Sequence, residues 1–169
     1  MTRTVQQLFD LSGKTALVTG GSRGLGLQMA HALGEAGAKI MLTSRKAKDL
    51  EEAAAELKAA GIEADWIAAD CSDEADIERL AKETVQRLGH VDILINNAGA
   101  SWGAPAEDHP TSAWDKVMNL NVRGYFLLSQ QIARLSMLER KSGRIINLAS
   151  IAGLGGNPTG MKTIAYNTS

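Results

Sequence analysis

Residues 14–19, Lys-Thr-Ala-Leu-Val-Thr, form a short apolar, β-branched run that stops at Gly20-Gly21, and a helical pattern follows at once. A buried strand turned by glycine directly into a helix constrains this chain more than any other feature, because the next strand must then return alongside the first. The alternation continues. The helix spans 25–36, with Leu25, Met29, Ala32 and Leu33 on one side and Gly37 as its stop. A second strand covers 39–43, and 47–60 is rich in Ala, Glu, Leu and Lys, all strong helix formers, ended by Gly61. A third strand covers 64–69. Ser72 then caps a helix whose first turn carries Asp73 and Glu74 and whose apolar face is Ile77, Leu80, Ala81, Thr84 and Leu88. The nearly all-apolar run 91–95 reads as a strand covered on both faces. A helical region over 112–140, broken near Asn119–Asn121, and a fifth strand over 144–149 complete the pattern. Strand–helix alternation of this kind predicts one α/β domain over residues 1–169, a three-layer sandwich around a parallel sheet.

A chain of 169 residues buries roughly 70% of the surface its unfolded form exposes, enough for a real core. With 18 basic and 19 acidic side chains the net charge is −1, which argues against a nucleic-acid binder. Cys71 is the single cysteine, so no internal disulfide is available. No stretch is apolar for long enough to span a bilayer, residues 1–12 do not resemble a signal peptide, and the expected location is cytoplasmic. His31, His90 and His109 are scattered without ligand spacing, so no metal site is expected.

The first turn reads Thr19-Gly20-Gly21-Ser22-Arg23-Gly24-Leu25-Gly26. Free N–H groups at a helix start, with glycines that let a ligand approach the backbone, suit a pyrophosphate. Gly13-Lys14-Thr15 imitates the end of a P-loop, but Leu8 stands where that motif needs glycine. The glycines at 20, 24 and 26 run G-x-x-x-G-x-G, not G-x-G-x-x-G. This spacing resembles the short-chain dehydrogenase/reductase family. Asn96-Asn97-Ala98-Gly99 matches its NNAG motif, Asp70 its adenine-contacting aspartate, Asn121 its structural and catalytic asparagine, Ser150 its catalytic serine and Tyr166 the tyrosine of its YxxxK motif.

The resemblance implies a doubly wound Rossmann fold and hydride transfer between NAD(P)(H) and a carbonyl or secondary alcohol. Tyr166 would be the acid in reduction, Ser150 would bind the substrate oxygen, and Asn121 would hold a relay water. The cofactor contacts would be Gly20, Ser22, Arg23, Gly24, Leu25, Gly26, Ser44, Arg45, Asp70, Cys71, Asn97, Ala98, Gly99 and Tyr166. An NAD site wants a carboxylate about 20 residues past the turn. The second strand instead ends Thr43-Ser44-Arg45-Lys46, and Arg23 lies inside the turn. Two guanidinium groups at one ribose position favour a 2′-phosphate, hence NADP(H) over NAD(H). The family's lysine would be residue 170, one past Ser169, so the chain reads as an enzyme cut short of its last strands and helices. Two readings then stand: a reductase or dehydrogenase for a small sugar acid or 3-oxoacyl compound, similar to gluconate 5-dehydrogenase-like and 3-oxoacyl-carrier-protein-reductase-like members, or a dinucleotide-binding module without catalysis. An S-adenosylmethionine-binding domain would leave Asn121, Ser150 and Tyr166 unexplained. The loop from Gly153 to Pro158 is expected to border substrate. Apolar residues on more than one face of 112–140 predict a homodimer or homotetramer through that helix.

Overall fold

The computed structural model describes residues 4–156, 158 and 160–169. Five parallel strands lie in the order β3-β2-β1-β4-β5: β1 (Thr15–Thr19), β2 (Lys39–Ser44), β3 (Ala64–Ala68), β4 (Ile93–Asn96) and β5 (Arg144–Asn147). The chain winds outward from β1 to β3 and then resumes on the other side of β1, so the winding reverses between β1 and β4. In open parallel sheets, ligands bind beyond the carboxyl ends of the strands at that reversal.

The period of two along β1 separates two cores. Ala16 and Val18 pack with Ile40, Leu42, Leu50 and Leu57 on the side of α2 (Gly24–Glu35) and α3 (Ala47–Ala59). Leu17 packs with Met41, Ile77, Leu80, Leu94, Leu128 and Ile132 on the side of α4 (Glu74–Leu88) and the long helix. A five-residue helix, α1 (Val5–Phe9), precedes β1 and leaves Val5, Leu8 and Phe9 exposed. No helix among the described residues is long and apolar enough to cross a membrane.

Three local readings need correction. The buried residues of α2 are Gly26 and Ala30, with Leu27, Met29 and Leu33 partly covered, while Leu25 and Ala32 face out. This helix lies so close to the sheet that small residues, rather than large ones, mark its inner face. The cap of α4 is Asp73, whose carboxylate accepts from the Asp76 N–H at 2.9 Å; Ser72 instead donates to Asp70. The long helix does not break. It runs continuously over 111–140 as α5 (Thr111–Met118), a π-helical stretch (Asn119–Gly124), α6 (Tyr125–Ile132), a second π stretch (Ala133–Met137) and α7 (Leu138–Arg140). Each π stretch widens a turn while the helix continues.

Beneath the sheet, at the start of β4, the buried carboxylate of Asp92 accepts from Arg140 at 2.6 Å, from His90 at 3.0 Å and from the Thr15 N–H at 3.2 Å, with Lys14 3.7 Å away. Burial pushes its pKa up, but the Arg140 bond, the Thr15 N–H, His90 and Lys14 together hold it below its ordinary value. A depressed carboxyl stabilises the fold above its unfolded pKa, and that stability is lost as pH falls through the lower native value. Asp92→Asn should cost about 2–3 kcal/mol in urea titrations at neutral pH, below the ~3–5 of a fully buried pair because Arg140 is partly exposed. The deficit should shrink toward the acid limb; a constant deficit down to acid pH would refute the charge-based account.

Candidate active site

Thr19 closes β1 and joins it to the turn after β4. Its Oγ1 accepts from the N–H groups of both Asn97 and Ala98 at 2.9 Å, and Asn97 Nδ2 donates to the Thr19 carbonyl at 2.9 Å. The two loops at the winding reversal are therefore one unit. Gly24 opens α2 at φ +56°, a left-handed conformation that favours glycine. A Cβ on Gly26 would collide with the Gly20 carbonyl, so its absence allows the tight turn.

Above these loops lies a cleft of about 360 Å³, lined by Gly20, Ser22, Arg23, Gly24, Ser44, Arg45, Asp70, Cys71, Asn97, Ala98 and Gly99. Lys46, Asp49, Ala69 and Leu120 line it too, and of these only Lys46 is legible in sequence, as added positive charge. Ser44 lines the cleft, and its Oγ is buried with no hydrogen-bond partner among the described residues. Asp70 lies two residues past the end of β3 rather than on it, and its carboxylate accepts from Ser72 N at 2.9 Å and Ser72 Oγ at 2.6 Å. Cys71 is buried, and burial first, then Asp70 and Asp76, push its thiol up to about 12. It is no nucleophile near neutrality.

A second cavity, of about 220 Å³, shares Asn97 and Gly99 with the cleft and brings Asn121, Ser150 and Tyr166 together. Asn121 Oδ1 accepts from the Ala100 N–H at 2.9 Å, and its Nδ2 donates to the Ala100 carbonyl at 3.0 Å and to Ser169 Oγ at 2.9 Å. Ser150 follows β5 and caps the 3-10 turn Ile151–Gly153, accepting from the Ala152 N–H at 3.2 Å. Tyr166 sits on α8 (Ile164–Thr168), anchored by buried Ala165. Leu25 lines this cavity rather than the cleft, and Gly26 lines neither. Tyr125 and Leu148 also line it, unforeseen because which way they face depends on helix phase and strand exit.

None of the described residues of the loop from Gly153 to Pro158 lines either cavity, and Leu154 is exposed; Asn157 lies outside the described residues. Trp102 lies on the surface with the Lys116 ammonium 5.6 Å from its ring centroid. Trp114 is half-buried, edge-on to His109. His31 pairs with Glu56 and His90 with Asp92, and the described residues hold no metal-type cluster.

A parallel sheet with a glycine-turn cleft at its winding reversal is a Rossmann-type domain. The model of the family described as short chain dehydrogenase matches residues 14–169, and the chain belongs to that family. It is 43% identical over 164 residues to a rhamnolipid-biosynthesis 3-oxoacyl-[acyl-carrier-protein] reductase of Pseudomonas aeruginosa, covering 95% of this chain and 63% of that protein. It is 39% identical over 144 residues to gluconate 5-dehydrogenase of Gluconobacter oxydans, covering 85% and 56%. Among solved structures, the RhlG/NADP active-site complex of Pseudomonas aeruginosa superposes with a TM-score of 0.86 at 42% identity, covering 95% of this chain and 62% of that one. The chain thus spans about three fifths of the length of the curated relatives it matches.

Proposed function

We propose that this chain carries the cofactor site and the proton-handling face of an NADP(H)-dependent oxidoreductase acting on a carbonyl or secondary alcohol of a small substrate. The observation that carries this reading is the junction of the two cavities at Asn97 and Gly99: a phosphate-suited cleft opens onto the one place where Asn121, Ser150 and Tyr166 meet. The orphaned Ser44 hydroxyl and the glycine cradle fit a dinucleotide, and Arg45, Lys46 and Arg23 around the cleft fit a 2′-phosphate. NADP(H), when bound, supplies or accepts the hydride.

The protein's own side chains handle the oxygen. Ser150 donates a hydrogen bond to the substrate carbonyl, Tyr166 gives that oxygen a proton in reduction and recovers it in oxidation, and Asn121, on the same cavity, ties the turn after β4 to the end of α8 through Ala100 and Ser169. Both a sugar acid and a 3-oxoacyl thioester meet the chemical requirement, and relatives named for each support keeping both as substrate classes. The test is NADPH consumption by the full-length protein against a panel of 3-oxoacyl thioesters and keto sugar acids. NADPH oxidation with at least one carbonyl is expected. Tight NADPH binding with no turnover on any of them would favour the non-catalytic module.

We also propose that the long helix pairs subunits. Val122, Phe126, Leu135 and Leu138 are all exposed along it, 63% and 66% for Phe126 and Leu138, whereas Leu128 and Ile132 are buried on the opposite side. A dimer or tetramer is the expected result in light scattering of the full-length protein. A monomer at micromolar concentration would rule the interface out.

A further inference from the structure

We propose that Asn167 is a positioning residue: its side-chain amide ties the turn that presents Ser150 to the helix that presents Tyr166, and so sets the spacing of the two hydroxyls on the reaction cavity. The inference rests on the reading of Ser150 and Tyr166 as the groups that bind and protonate the substrate oxygen.

Neither carrier holds its own place. α8 has five residues, too few for a helix to persist without tertiary contacts. The turn Ile151–Gly153 has three, and its apolar side chains give it no anchor, since Ile151 is 85% exposed and the neighbouring Leu154 87%. The two elements approach closely at Gly153, where an added Cβ would lie 3.5 Å from the Asn167 carbonyl oxygen.

A chain of hydrogen bonds crosses that junction. Ser150 Oγ accepts from the Ala152 N–H at 3.2 Å, and the Ala152 carbonyl accepts from Asn167 Nδ2 at 2.6 Å, one residue past Tyr166. A carbonyl oxygen can only accept, so it requires the amide nitrogen and leaves the amide oxygen to Thr163. Thr163 Oγ1 donates to Asn167 Oδ1 at 2.9 Å, and the Thr163 carbonyl accepts from the Asn167 N–H at 3.0 Å. The amide is thus fixed at both ends. Asn167 lines neither cavity, so its effect on the reaction passes through the residues it places. Buried Ala165 and the bond from Asn121 to Ser169 hold α8 independently, so losing the amide donor costs alignment rather than the helix.

The test uses Asn167→Asp in the full-length protein. Aspartate keeps the size and can still accept from Thr163, but it cannot donate to the Ala152 carbonyl. The expected result is a ~10–100-fold fall in kcat, the cost of a small misplacement of reacting groups, with NADPH affinity and thermal melting little changed. In a Ser150→Ala background the same substitution should cost much less, because the spacing it sets no longer matters. Thr163→Val should lower kcat in the same direction, and Thr163→Ser, which keeps the hydroxyl, should restore it. A lower melting temperature with kcat unchanged would make Asn167 a structural staple and overturn the proposal. So would a full, multiplicative loss in the Ser150→Ala background. If Asn167→Asp fails to fold, equal turnover of Thr163→Val and Thr163→Ser overturns it instead. Should Tyr166→Phe abolish turnover while Asn167→Asp keeps it, the catalytic reading stands and the role of Asn167 falls. Should Tyr166→Phe keep its turnover, the catalytic reading fails and leaves Asn167 nothing to position.

Discussion

Replacing Tyr166 with phenylalanine should lower turnover by ~10²–10⁴-fold, the usual contribution of a positioned acid or base. The ring stays and only the transferable proton leaves. Packing should survive, because α8 is held through buried Ala165 and through the bond from Asn167 Nδ2 to the Ala152 carbonyl at 2.6 Å, neither of which involves the phenol. NADPH affinity should therefore change little. The check is kcat measured beside the NADPH dissociation constant; a variant that keeps more than about a tenth of its turnover would remove Tyr166 from the chemistry.

The second large effect is on cofactor choice. Arg45→Asp should weaken NADPH binding by ~10–100-fold, the worth of a charge-assisted hydrogen bond, and leave NADH nearly untouched. Asp49 sharpens the expectation. It lies in the same cleft, so the substitution would set a second carboxylate there and leave Arg23 and Lys46 as the cations that line it. Dissociation constants for both cofactors decide the matter, and equal losses would sink the 2′-phosphate role.

Much of this was legible in the chain itself. The strands announce themselves as short apolar, β-branched runs, and the turn is marked by Gly20 and Gly26, where a Cβ would crowd the neighbouring backbone, and by Gly24, which takes a positive φ. Ser44 and Arg45 line the cleft as their place at the end of β2 implies, whereas Asn121 is read from the resemblance of 119–124 to the family pattern. What escaped depended on phase and proximity. The inner face of α2 is written in Gly26 and Ala30, so a search for large apolar residues points to Leu25 instead. A π turn adds residues to a helix without any breaking residue, which is why a gap was expected near Asn119–Asn121 where the helix widens. Asp49, Leu120 and Tyr125 enter the cavities only through the way helices lie against the sheet.

The Asp92 cluster carries a consequence of its own. It sits where β1 and β4 begin, while both cavities open where the strands end. A share of the fold's stability is thus held at the opposite end of the sheet from both cavities, and none of Asp92, Arg140, His90 and Lys14 lines either of them.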